Sequence, residues 1–268
     1  MKKKGLLFKV LLLVFAVLLS GFMASCTSSA SKSTGGILDN AKVDRTYENM
    51  SEKAGKPEYK ILQGGCTDGT YAYYVLENNS VPGSICELVK IRLSDWQIVK
   101  MATNIDINHG NDLTYNSKTN QIVAVHNKPK YTTISFIDPN TLEVLSSSQI
   151  KDNIYSIGYN AKTDQYVIGV SDGYNFKVLN SDFSIAASYT GQVTNYTRQG
   201  GDCDENYIYF IQSGKSDNII VVYDWNGKYI KSVKVPISSE GENIFHIGSV
   251  FYTGYNTSKG AVYKTQLN

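Results

Sequence analysis

Two stretches of this chain repeat one plan. Residues 63–75 read QGGCTDGTYAYYV and residues 199–211 read QGGDCDENYIYFI, so in each Gln-Gly-Gly leads through a polar, Asp-bearing turn into a tyrosine-rich alternating strand. The copies stand 136 positions apart, three periods of roughly 45 residues, which is the spacing of β-propeller blades. A shorter pair carries the same period. Residues 115–123 (YNSKTNQIV) and 159–167 (YNAKTDQYV) are offset by 44, and each reads as two strands joined by a turn of the form Asn-x-Lys-Thr-Asn/Asp. A second recurring unit is a hairpin: 89–99, 134–144, 176–185 and 220–230 each place turn formers between alternating apolar runs.

Together the two units make four strands per repeat. The repeats fall at 63–104, 105–150, 151–190, 191–237 and 238–268, and the last holds only three strands (244–248, 250–255 and 261–267). A ring closes when the missing outer strand comes from the other terminus, which also removes sheet edges that would template aggregation. The segment 44–62 is the available donor, and 37–57 reads as a short helix or an outer strand. No stretch after Pro57 carries a helical apolar stripe. The expected fold is all-β, a five-bladed propeller of four-stranded antiparallel blades, the last completed by an N-terminal strand.

The second repeat, through 120–127 (NQIVAVHN) and 134–145 (ISFIDPNTLEVL), resembles YVTN-type propeller repeats, relatives of the NHL and WD families. That resemblance implies a propeller in an extracytoplasmic setting. It implies no single activity, because one fold serves many functions.

The first residues read as an export signal. Lys2, Lys3, Lys4 and Lys9 precede the apolar run 10–19, which is too short for a comfortable membrane span of roughly 20 residues. Residues 21–26 (GFMASC) resemble the lipobox of bacterial lipoproteins, with Met23 in place of the commoner Leu and Cys26 as the lipid acceptor. The organisation expected is a signal at 1–25, a Ser/Thr/Gly-rich tether at 26–43 and the propeller at 44–268. Removing the signal leaves 22 basic against 24 acidic residues, a net charge of about −2. Near-neutrality without a basic run argues against nucleic acid as a partner. Cys66, Cys86 and Cys203 form an odd set for an exported chain, and 66 and 86 fall on the first and third strands of one blade, too far apart for a relaxed bridge. Buried free thiols are expected. No zinc-type Cys/His spacing and no cofactor motif is present, so neither metal nor cofactor is anticipated.

Polar groups from all blades converge where the first strands line the channel, and ligand sites collect there. The residues so placed are Gln63, Gly64, Gly65 and Asp68; His109, Gly110, Asn111 and Asp112; Asn153 and Tyr155; Arg198, Gln199, Gly200, Gly201, Asp202 and Asp204; and Glu240, Glu242, Asn243 and His246. The expected ligand-binding set is His109, Asn111, Asp112, Tyr155, Arg198, Gln199, Asp202, Glu242 and His246. A competing reading ties blades together with the same Asp and Asn side chains, makes the Gly pairs relief for crowding, and gives Asp68 and Asp204 to turn capping. Functionally the set fits a membrane-anchored binding or scaffold lipoprotein that recognises a glycan, peptide or protein on the rim, since tyrosine faces stack on sugars and anchor interfaces. The alternative is a glycan-active hydrolase or lyase, for which Asp112 and Asp202 are the best carboxylate pair and Glu242 the third. A His-assisted lyase or esterase, with His109 or His246 carrying the proton, ranks last because no G-x-S-x-G elbow is present.

Overall fold

The computed structural model describes residues 37–81 and 85–267. The expected signal, Cys26 and most of the tether lie outside them. The described chain starts with strands β1 (Ile37–Asn40) and β2 (Lys42–Glu48) and the one-turn helix α1 (Met50–Lys53). The first blade follows as β3 (Ile61–Thr67), β4 (Tyr71–Asn78), β5 (Ile85–Arg92) and β6 (Gln97–Ile105). The second comprises β7 (Asp112–Asn116), β8 (Gln121–Val125), β9 (Thr133–Ile137) and β10 (Val144–Gln149). The third comprises β11 (Ile154–Asn160), β12 (Gln165–Val170), β13 (Phe176–Asn180) and β14 (Ile185–Tyr189). The fourth runs β15 (Thr197–Cys203), β16 (Tyr207–Ser213), β17 (Asn218–Asp224) and β18 (Tyr229–Val235). The last holds β19 (Glu240–Ile247), β20 (Val250–Asn256) and β21 (Ala261–Gln266), with β2 as its fourth strand. The architecture is the five-bladed antiparallel propeller that the repeat implies.

β2 closes the ring antiparallel to β21, with Lys42 opposite Gln266 and Glu48 opposite Ala261. The sequence reading placed this strand within 44–62, so it began two residues late. β1 is an addition: it lies parallel on β18, pairing Ile37 with Ser232 and Asn40 with Lys234. Strand structure therefore begins inside the stretch assigned to the tether. Four residues, ILDN, are too few to show a period. A parallel strand added at an edge leaves no turn signal either.

Five apolar clusters hold the blades together, one per seam. Alternation along the second strands divides each blade between its two neighbours. On β4, Tyr73 and Val75 enter the seam with the second blade, whereas Ala72, Tyr74 and Leu76 enter the seam with the last. On β8, Ile122 and Ala124 face the first blade while Val123 and Val125 face the third. On β16, Ile208 and Phe210 face the third blade while Tyr209 and Ile211 face the last. Both faces of these strands are covered, so the strands read as nearly unbroken apolar runs. Each fully buried Val, Ile, Leu or Phe contributes about 1.5–3 kcal/mol. Cys66, Cys86 and Cys203 are free and buried, as expected.

Candidate functional site

The first strands of successive blades run the same way along the channel. Asn111 and Asp112 bond to Tyr155 and Ile157, and Gln199 and Asp202 bond to Glu240 and His246, so residue numbers rise together. Antiparallel order then places every first-to-second and third-to-fourth turn at one end of the ring. The loops between second and third strands, and between blades, gather at the other.

The first end is closed by side chains that cap their own turns. Asp68 Oδ1 accepts the N–H groups of Thr70 and Tyr71, and its Oδ2 accepts Tyr73 O–H at 2.7 Å. Asp204 repeats this with Asn206, Tyr207 and Tyr209. In the blades between, Asn116 Oδ1 accepts from Lys118 and Thr119, and Asn160 Oδ1 from Lys162 and Thr163. Capping is the role the sequence favoured for Asp68 and Asp204, and it is the one observed.

The centre of the channel is plugged by backbone. A Cβ on Gly64 would stand 2.7 Å from the Asp112 backbone, and one on Gly200 would stand 2.7 Å from the Glu242 carbonyl oxygen. Only glycine lets the first strands approach so closely. Asp112 sits in this layer at 0% exposure. Its Oδ1 accepts Leu113 N–H at 3.0 Å, and its Oδ2 accepts Ile157 N–H and Gly201 N–H, each at 2.9 Å. One carboxyl group thus fastens three blades. Burial pushes its pKa well up, and the three amide bonds pull against that shift. Asn243 completes the layer, its Nδ2 donating to the Gln63 carbonyl of the first blade.

Both carboxylates of the alternative, hydrolytic reading are engaged by protein groups. Asp112 offers no free oxygen to a substrate, and Asp202 is bonded to His246, with Oδ2 2.6 Å from Nδ1. Burial disfavours the charged His246 ring, yet the Asp202 carboxylate outweighs it and raises the pKa. This pair also lies away from Arg198, because Asp202 is four residues beyond it on β15, roughly 13 Å along a strand. Glu242 is 3% exposed, and burial, reinforced by Glu240, pushes its pKa well up. Gln199 Nε2 donates to Glu240 Oε1 at 2.9 Å, and His109 Nδ1 lies 2.7 Å from Glu77 Oε1. His126, in none of the expected sets, is buried with Nδ1 2.7 Å from Asn108 Oδ1 and Nε2 2.6 Å from Ser135 Oγ. Burial holds it down at about 4, so it is a neutral structural histidine.

Two candidates do meet in an open concavity. Tyr155 and Arg198 line a cleft of about 420 Å³ between the third and fourth blades, with Asn127, Ser171, Gly173, Tyr174, Tyr196 and Thr197. The Arg198 guanidinium lies 5.0 Å from the Tyr155 ring centre and 5.8 Å from that of Tyr174. Its Nη1 donates to the Val170 carbonyl at 3.1 Å and to the Gly173 carbonyl. Tyr174 O–H donates to Tyr196 O at 2.9 Å, which sets its ring as a wall. Asn111 stands behind the cleft, donating to Tyr155 O and accepting from Asn127 Nδ2. The sequence reading missed Asn127, Ser171 and Tyr174 because it counted only loops that enter the first strands. Strand alternation was the signal available, since it puts each second-to-third loop at the same end.

No family model matches the sequence, and no curated protein matches it. Among solved structures, luciferin-regenerating enzyme superimposes with a TM-score of 0.52 at 11% identity, over 85% of this chain and 96% of that one. Regucalcin from Agrobacterium tumefaciens, a calcium-binding protein, gives 0.51 at 10% identity, over 78% and 92%. Virginiamycin B lyase from Staphylococcus aureus gives 0.46 at 14% identity, over 77% and 66%. For the first two, at such identities, the likeness is one of fold. The chain is a β-propeller.

Proposed function

We propose that this chain is a membrane-anchored, extracytoplasmic lipoprotein whose propeller binds without catalysing, recognising a glycan, peptide or protein partner at its open end. The observation that carries the reading is the state of Asp112: the best-placed carboxylate of the channel accepts three backbone amides at 0% exposure. A carboxylate spent in this way is not available as one of the two carboxyl groups that glycan hydrolysis requires. The groups left for recognition are the arginine and aromatic faces of the cleft. Cys26 carries the lipid and begins the 26–43 tether in this reading, with β1 at the tether's far end.

One observation favours the second reading, a glycan-active hydrolase or lyase. In the His246–Asp202 pair, Nε2 has no hydrogen-bond partner among the described residues while Asp202 orients the ring. A panel of glycans and peptides presented to the full-length protein in detergent separates the two. Retention of a ligand with no new reducing ends or unsaturated products is expected. Turnover that His246→Gln abolishes would replace binding with catalysis.

A further inference from the structure

We infer that the cleft between the third and fourth blades is a subsite for a carboxylate-bearing sugar, a uronic acid unit of an acidic glycan. This rests on the binding reading above and names the ligand class. The first ground is charge. Arg198 is the one charged residue lining the cleft, and it makes no ion pair among the described residues. Of the neighbouring acids, Asp172, between Ser171 and Gly173, makes no ion pair with Arg198, and Asp217 is already taken: its Oδ2 pairs with Lys234 Nζ at 2.6 Å and its Oδ1 accepts Tyr196 O–H at 2.9 Å.

The second ground is geometry. Nη1 is committed to the Val170 and Gly173 carbonyls, which fixes the plane of the guanidinium. Nε and Nη2 have no partner among the described residues, and together they form the edge that grips a carboxylate through two parallel bonds. The cation is therefore held in place with its binding edge unspent.

The third ground is the surrounding surface. Tyr155, Tyr174 and Tyr196 line the cleft, the first buried beneath the Arg198 guanidinium, and the hydroxyls of the last two are committed to protein acceptors. Aromatic faces stack on pyranose rings. Asn127 is held through its Nδ2 on Asn111, which leaves its carbonyl oxygen to accept from a ligand, and the Ser171 and Thr197 hydroxyls line the same wall. Unspent acceptors and hydroxyls match a hydroxylated ring better than the apolar side chain of a peptide terminus. The volume, about 420 Å³, lies at the small end of the ligand range of roughly 300–1,000 Å³, which suits a short run of sugar rings.

The test compares trigalacturonate with its methyl ester, which keeps the rings and removes the charge, by calorimetry on the full-length protein in detergent. Binding of the acid at least tenfold tighter than the ester is expected. In Arg198→Gln the two should bind alike, and Arg198→Lys should recover only part of the difference because it lacks the fork. Equal affinity of acid and ester for the unaltered protein, which needs no variant to fold, would overturn the inference while leaving glycan binding intact. Preference for a tetrapeptide with a free terminal carboxylate over trigalacturonate would also overturn it, and would redirect the binding reading to peptides. Absence of any ligand in the glycan and peptide panel is a failure of that reading itself.

Discussion

The two ends of the ring treat their polar side chains in opposite ways. At the turn end, Asp68 and Asp204 each accept two backbone N–H groups and a tyrosine hydroxyl, and Asn116 and Asn160 cap the turns of the blades between. At the loop end, Arg198 has an unspent edge in an open cleft, and Glu87, near the start of β5, is wholly buried with neither carboxyl oxygen bonded. Between them lies the Asp112 layer. Short turns return the chain to the next strand, so their side chains find partners within three or four residues. Longer loops rely less on such local partners, although Asn78 Oδ1 accepts Ser80 N–H and Thr194 Oγ1 accepts Tyr196 N–H. Other groups there are satisfied across blades, or by a ligand, or not at all. The turn end is therefore mainly scaffold, the outer edge of His246 apart, and the loop end holds the open cleft where recognition belongs.

The strongest way to break this contrast is to remove the layer that divides the ends. Asp112→Leu strands the N–H groups of Ile157 and Gly201 in a buried layer, and each orphaned donor costs about 1–3 kcal/mol. A stability loss of about 3–5 kcal/mol by urea denaturation is expected. A loss under about 1 kcal/mol would mean that Asp112 is not a fastener, and it would reopen its candidacy for chemistry.

Glu87 supplies the opposite sign. Burial raises its pKa to about 7 from an ordinary value of 4.5. Below about pH 4.5 both folded and unfolded chains hold this proton. As pH rises toward 7 only the unfolded chain has released it, so stability falls through that window and levels off above it. The shift corresponds to about 3 kcal/mol. Glu87→Gln should therefore stabilise the protein by up to about 3 kcal/mol at pH 8 and by almost nothing at pH 4.5. Unfolding midpoints at the two pH values check this, and a gain of equal size at both would show that the orphaned charge is not the cause.

The smallest effect sharpens the picture of the turn end. Asp204→Ala removes the acceptor for Asn206, Tyr207 and Tyr209 in a turn that water reaches. A loss of about 1–2 kcal/mol is expected, typical of deleting a capping side chain. Ligand binding at the far end should not change. A shift in affinity would show that the two ends are coupled.

How much of this was legible follows from where each partner lies in the chain. The turn end was readable residue by residue. Asp68 and Asp204 bond to groups two to five positions away, and the 44-residue offset between Asn116 and Asn160 reappears as the same pair of capping bonds. The plug was half readable. Gly64 and Gly200 marked a close approach, but Asp112 fastens Ile157 and Gly201, 45 and 89 positions away, which no local pattern announces. The cleft was least readable, because Tyr174 and Asn127 come from loops that carry no periodic signal.

The amino-acid sequence by itself determined the repeat, the number of blades, the need for a strand from the front of the chain and the capping turns, because each depends on period and nearby residues. The tertiary structure alone decided that Asp112 is a buried fastener, that Asp202 belongs to His246, and that Arg198 stands among tyrosines with an edge to spare. Those outcomes depend on which strands meet across the ring. Packing of the seams sets that meeting, and the side chains that take part are strangers in sequence.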